Sequence, residues 1–237
     1  MGALVRACVG CYDAAKAFRT PFISGKDSLN NQFVTEDGRT IQIPPTLLIS
    51  GFAPVVEASR AVSMDAKRAG SQLVLVGDTS DRLGGSHLAL LMTLPSGTSS
   101  LPAPSLVHGP RNAHAVAAAI AQGIVLSCHD CSEGGLLVAA AEMAFSGGLG
   151  LSLNPLAAPT VGDVSFLARC FAEDASRYLI EVDASQLDAL SKTLAGVPHA
   201  VVGTFDGTGK FSVTDGTAPA QVLSSTLGER WSGGLSW

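Results

Sequence analysis

Two short stretches of this chain carry residue types and spacings that could do chemistry. The first is Ser127-Cys128-His129-Asp130-Cys131-Ser132-Glu133-Gly134-Gly135-Leu136. Asp130 offers a hard oxygen ligand of the kind Mg²⁺ takes, and Ser132 adds a hydroxyl. Gly134 and Gly135 let a backbone come close to a ligand. A helix starting beyond them would present unpaired N–H groups to an anion. The chemistry implied is a phosphate-and-metal turn. A tight turn with a capping Asp or Ser would use the same residues, so on residue types alone both readings stand.

The second stretch is Pro21-Phe22-Ile23-Ser24-Gly25-Lys26-Asp27-Ser28-Leu29-Asn30-Asn31. Gly25 allows close approach, Lys26 can neutralise a phosphate, Asp27 can hold a metal or a lysine, and Ser28 can donate to an anion. The upstream glycine and four-residue spacer of a Walker A loop are missing. By itself the loop also reads as a solvated turn. Leu83-Gly84-Gly85-Ser86 is another glycine loop, and it reads as a turn between elements.

The cysteines pose a separate question. There are five, and Cys8/Cys11 and Cys128/Cys131 each have C-x-x-C spacing, the pattern of a four-thiolate zinc site. The pairs are far apart in sequence. The first falls on the apolar face of a helical pattern, and the second shares its turn with a carboxylate suited to a harder cation. Small buried thiols are the expected role. An odd count in a long chain also argues against a disulfide framework.

The elements that must position these residues follow from periodicity. Leu4, Cys8, Cys11, Ala15 and Phe18 line one helical face, which Pro21 ends. Phe22-Ile23 reads as a short strand into the Gly25 loop, residues 32–39 as a polar turn, and Thr46–Phe52 as a buried strand after Pro44-Pro45. Gln72–Gly77 reads as a strand. Arg111–Gln122 reads as a helix capped by Gly123. Ile124–Leu126 reads as the strand feeding the Ser127 turn, and Leu136–Phe145 as the helix leaving it. Strands follow at 149–153, 178–182, 200–205 and 211–213, with helices at 163–171 and from 185 to about 194. The tail through Trp231 and Trp237 shows little internal logic. The fold class expected is α/β (α+β), a mixed sheet with helices on one face. The expected boundary separates residues 1–57, the end of one domain, from residues 58–237, a complete second domain.

Composition narrows the function. A net charge of −5 and the lack of any basic run exclude a general nucleic-acid surface. Aromatic residues are too few for a base-stacking platform. No apolar run is long enough to span a membrane, and the first residues lack signal-peptide and myristoylation patterns. The expectation is a cytoplasmic protein.

Thr20 to Asn31 resembles the Gly-Lys-Asp-Ser loop of phosphoribosylformylglycinamidine (FGAM) synthase, and His129 to Leu136 resembles its His-Asp-x-Ser-Asp/Glu-Gly-Gly-Leu turn. The Leu83–Ser86 block and the segment from Phe171-Ala172-Glu173 to Glu181-Val182 fall in the same order. The resemblance implies the C-terminal domain of the aminoimidazole ribonucleotide synthetase-like fold, preceded by the end of an N-terminal domain. It implies an ATP- and Mg²⁺-dependent carbon–nitrogen ligase of purine biosynthesis. The partners implied are formylglycinamide ribonucleotide, a glutaminase supplying ammonia, and an upstream synthetase portion that carries the catalytic histidine. Residue by residue, Gly25 matches an ATP contact, Ser28 a ribonucleotide contact, Asp130 a Mg²⁺ ligand and Ser132 a nucleotide contact, either for turnover or at an auxiliary nucleotide such as ADP. Gly134 and Gly135 stand in the same nucleotide turn. Lys26 replaces the metal-binding asparagine of shorter members, and Glu133 replaces the commoner aspartate. The alternatives are another ATP-binding relative, of the hydrogenase-maturation, thiamine-phosphate kinase or selenophosphate synthetase type, and a non-catalytic assembly module.

Overall fold

A computed structural model describes residues 2–28, 31–55 and 57–234. The chain divides into two compact units, Met1–Val56 and Glu57–Trp237.

In the first unit the helical spacing produces α1 (Gly2–Phe18), which has no buried residue. Its apolar stripe is uncovered, and Cys8 is exposed rather than buried as the periodicity suggested. The segment read as a polar turn contains a hairpin, β1 (Gln32–Val34) against β2 (Thr40–Gln42), turned at Gly38 with φ of 80°. The two strands expected at Phe22-Ile23 and Thr46–Phe52 do not form, and Leu48 and Phe52 are 89% and 90% exposed. Apolar character put both into a sheet. Pro44-Pro45 removes two ladder donors, and among the described residues of this unit no neighbouring strand pairs with either segment. Leu29 and Asn30 of the sequence block lie outside the described residues.

The second unit is built on a seven-stranded sheet. Its strands are β3 (Gln72–Val76), β4 (Val125–Asp130), β5 (Gly150–Leu153), β6 (Tyr178–Val182), β7 (His199–Asp206), β8 (Lys210–Val213) and β9 (Ala220–Leu223), ordered β4-β6-β3-β7-β5-β8-β9. Neighbours are antiparallel except β5 and β8, so the sheet is mixed, as expected. The helices are α2 (His87–Leu91), α3 (His108–Ala121), α4 (Gly135–Gly147), α5 (Phe166–Phe171), α6 (Leu187–Thr193) and α7 (Ser224–Ser232).

The expectation of helices on one face is corrected. In β3, Leu73 and Leu75 pack with Leu136, Ala140 and Met143 of α4, while Val74 and Val76 pack with Val116 and Ala119 of α3 and Leu190 of α6. Successive side chains of a strand point to opposite faces, so helices cover both. The run Leu73-Val74-Leu75-Val76 is apolar without alternation, which is the mark of a strand buried on both sides. Each such side chain contributes about 1.5–3 kcal/mol by burial.

Helix ends follow their residues. Gly123 and Gly148, at φ of 71° and 66°, turn the chain out of α3 and α4. Gly147 is packed so tightly that a Cβ would lie 2.2 Å from the Ala66 carbonyl oxygen. The tail is more ordered than its sequence suggested. β9 joins the sheet and α7 packs on α4, with the Trp231 ring 6.0 Å from that of Phe145. Trp237 lies outside the described residues.

Candidate functional site

The first motif sits at one end of the sheet. β4 does not stop at Leu126, as the polar residues suggested, but continues through Asp130, with Ser127 opposite Glu181 and Asp130 opposite Tyr178. Ser127 looks like a turn residue in sequence. Its hydroxyl instead points into the core and donates to Glu181 Oε2 at 2.7 Å.

Asp130 therefore stands at the strand end, with its side chain 59% exposed. Ser132 Oγ donates to its Oδ2, and His129 Nδ1 lies 3.3 Å from its Oδ1. The Ser132 hydroxyl, ahead of the neighbouring His129, holds the carboxyl below the usual carboxylate range. His129 is braced from behind. Its Nε2 lies 2.9 Å from Glu142 Oε2 on α4, and Glu142 Oε1 accepts a 2.7 Å hydrogen bond from Trp231 Nε1 on α7. Asp130 and Ser132 are thus brought together.

Gly134 and Gly135 begin α4 with φ of 79° and 66°. The turn itself requires both. A Cβ on Gly134 would meet the Val138 side chain at 2.3 Å, and one on Gly135 would meet the Ala172 carbonyl oxygen at 2.6 Å. The Gly134 N–H is already engaged, donating to Glu173 Oε1 at 2.7 Å. Glu173 Oε1 also accepts from the His87 backbone at 2.9 Å, which ties the start of α2 to the start of α4.

A cleft of about 440 Å³ opens here, lined by Asp130, Cys131, Ser132, Glu133, Glu173, Asp174, Arg177 and Tyr178 among others. Asp174 accepts from the Ser80 backbone at 2.9 Å and the Ser80 hydroxyl at 2.6 Å. Arg177 is buried beneath the turn, and Nε and Nη2 of its guanidinium have no partner. Sequence reading placed Glu173 to Arg177 only inside the block from Phe171 to Val182 and assigned them no role of their own. The signal it passed over was a run of charged residues just before a buried strand, where a charge going inward must be held or must hold something.

Among the described residues no three His, Cys, Asp or Glu side chains gather into a metal site. Asp130 offers a single carboxylate. That suits an ion such as Mg²⁺, which keeps waters and binds through one or two carboxylates plus phosphate oxygens. Thiolate chemistry is opposed here, because burial pushes the Cys128 and Cys131 thiols up to about 12 and about 11.

The second motif belongs to the first unit. Lys26 Nζ donates to Ser28 Oγ and, at 3.1 Å, to the Asp27 carbonyl, so Lys26 and Ser28 are brought together within an exposed loop. A Cβ on Gly25 would meet nothing within 4 Å. The Gly84 loop is structural, since a Cβ there would lie 2.2 Å from the Ser99 carbonyl oxygen, and Ser86 caps α2.

No described helix is long and apolar enough to cross a membrane. Phosphoribosylformylglycinamidine synthase subunit PurL of Brucella ovis is 36% identical over 212 residues, covering 87% of this chain and 27% of the relative, and that of Brucella abortus matches equally. The chain thus spans about a quarter of the length of these relatives. The PurL of Thermotoga maritima complexed with FGAR shares the fold at a TM-score of 0.63 and 18% identity, over 72% of this chain and 30% of that one. A model of the family described as AIR synthase related protein, C-terminal domain, matches residues 68–216. That match spans more than half of the chain, which therefore belongs to the AIR synthase related proteins through this C-terminal domain.

Proposed function

We propose that this chain contributes a nucleotide- and magnesium-binding portion of FGAM synthase, acting in the cytoplasm in purine biosynthesis. The whole enzyme would use ATP and ammonia to convert the amide of formylglycinamide ribonucleotide into an amidine, by phosphorylating the amide oxygen and displacing the phosphate with nitrogen. The observation that carries the reading is the Asp130–Ser132 pair at the mouth of the cleft, beside the start of α4. The likeness to synthase subunits from Brucella adds the reaction class.

Asp130 would hold Mg²⁺ and Ser132 would contact the nucleotide, ATP or ADP, with Gly134 and Gly135 shaping the turn. Magnesium, when bound, would neutralise phosphate charge. In the first unit Gly25 would touch ATP and Ser28 the ribonucleotide, with Lys26 as a neighbouring phosphate contact and Asp27 as a carboxylate for a metal or a lysine. The boundary between the two domains would fall near residue 58. The rest of the synthetase would supply the catalytic histidine, and a glutaminase the ammonia. A Thermotoga maritima assembly described as PurLQS supports such partnership.

Calorimetry of the chain with ADP and MgCl₂ tests this site. Saturable binding is expected, weakened roughly ten-fold or more by Asp130→Asn. Binding that is absent, or indifferent to Asp130→Asn, would make the turn purely structural and favour an assembly module.

A further inference from the structure

The Arg177 guanidinium is held deep beside the cleft with three of its five N–H donors, those on Nε and Nη2, idle. Its side chain is 1% exposed. Nη1 donates to the Ala172 carbonyl at 2.9 Å, and Asp174 Oδ2 lies 3.8 Å from it, beyond hydrogen-bond reach. Nε and Nη2 are buried without a partner. Those two nitrogens form the side-on edge of the guanidinium, whose parallel N–H groups match two oxygens of a carboxylate or phosphate. Leaving charged donors buried and unpaired is unfavourable, so the free edge points to a group that the protein itself does not supply.

The side chain is also fixed in advance. Ser176 is in the left-handed region at φ of 62°, and its carbonyl accepts from Asn112 Nδ2 at 3.2 Å. The Arg177 carbonyl accepts from the Cys131 N–H at 3.1 Å. Gly77, at the end of β3, leaves just enough room, since a Cβ there would stand 3.1 Å from Arg177 Cγ. The backbone at Arg177 is thus set by Asn112 and the Cys131 turn, its stem packs by Gly77, and the Ala172 carbonyl holds Nη1 before any ligand arrives, and prior ordering of this kind lowers the cost of binding.

We propose that Arg177 is an anion-binding residue of this cleft, its side-on edge taking two oxygens of a phosphate group that enters together with a divalent cation. The cation is required because Asp130, Glu133, Glu173 and Asp174 line the same cleft and would repel a bare anion. The inference rests on the nucleotide reading only for the choice of phosphate over carboxylate.

The test is nuclear magnetic resonance of the full chain labelled with ¹⁵N at arginine, the Arg177 Nε–H being assigned through its own backbone. Inorganic phosphate and then ADP are titrated in, each with MgCl₂. A saturable shift of the Arg177 Nε–H is expected with both. Arg177→Lys keeps the charge and loses the fork, and it should weaken phosphate binding by about ten-fold or more in calorimetry. The wild-type resonance gives the answer even if that variant does not fold. A resonance that moves with phosphate while ADP fails to bind sustains the inference and sinks the nucleotide reading. A resonance that stays still while Mg·ADP saturates the protein overturns the inference and leaves that reading intact. If neither ligand moves it, a trapped water fills the fork and the inference fails.

Discussion

Asp130 and Cys131 are neighbours in sequence and opposites in environment. Asp130 lies at the cleft mouth with a hydroxyl donating to it, while Cys131 is fully buried, and desolvation pushes its thiol up to about 11. Cys170 is likewise pushed up to about 12 by burial. A raised folded value means that these thiols stay protonated in the fold while the unfolded chain ionises near 9.0. Their contribution to stability is therefore full below pH 9 and is lost as pH climbs towards 11 and 12. At pH 8 the buried Cys131 thiol stays protonated, so alkylation must be slow. Iodoacetamide at pH 8 should modify exposed Cys8 at least about a hundred-fold faster than Cys131 or Cys170, as read by mass spectrometry of peptides. Equal rates would contradict the burial. At this scale the sequence offered Asp130 and Ser132 as candidates, because a carboxylate and a hydroxyl beside paired glycines are a local pattern, and the fold sets the two side chains against each other. Glu173 was not legible as a cleft residue, because its partners lie at the starts of α2 and α4, and Arg177 was not, because its burial depends on packing against Gly77 at the end of β3, far away in the chain.

Glu181 shows how one side chain organises whole elements. It is fully buried in β6, and its carboxylate accepts from the Lys67 and Arg68 backbones, at 2.8 and 2.9 Å, and from the Ser71 and Ser127 hydroxyls, at 2.6 and 2.7 Å. The loop before β3 and the strand β4 are thereby locked to β6, which fixes where β4 delivers Asp130. Glu181→Gln keeps the shape but turns an amide donor towards donors. It should destabilise the chain by about 2–4 kcal/mol in urea unfolding. A change under about 0.5 kcal/mol would show that the carboxylate is not the lock. The same network explains why β4 was read as ending at Leu126. Polar residues in a strand mimic a turn unless their buried acceptor is known. The strand at 72–76 was legible from the run Leu73-Val74-Leu75-Val76, and the strand at 178–182 from Tyr178-Leu179-Ile180 and Val182 around the single charge of Glu181. The expected strand at Thr46–Phe52 had equal local merit and lacks a partner strand among the described residues. The helices α3 and α6 were expected but not their place on a second face, although the unbroken run Leu73–Val76 carried that signal.

At the scale of the molecule the two units differ sharply. The second has a continuous core on each side of its sheet. The first leaves Phe22, Ile23, Leu47, Leu48 and Phe52 exposed and buries nothing in α1. The chain also spans only 27% of the Brucella relatives' length. The proposed function rests, in the sequence, on two motif blocks, since neither the sheet nor the cleft declares a reaction. The central claim is that this chain supplies binding groups to an enzyme whose turnover needs the rest of the synthetase. The direct measurement is ammonia-dependent formation of FGAM from formylglycinamide ribonucleotide, ATP and Mg²⁺, by the chain alone and by the chain combined with the remaining synthetase portion. The account predicts no turnover by the chain alone and restored turnover in the combination. Full activity of the chain alone would contradict it.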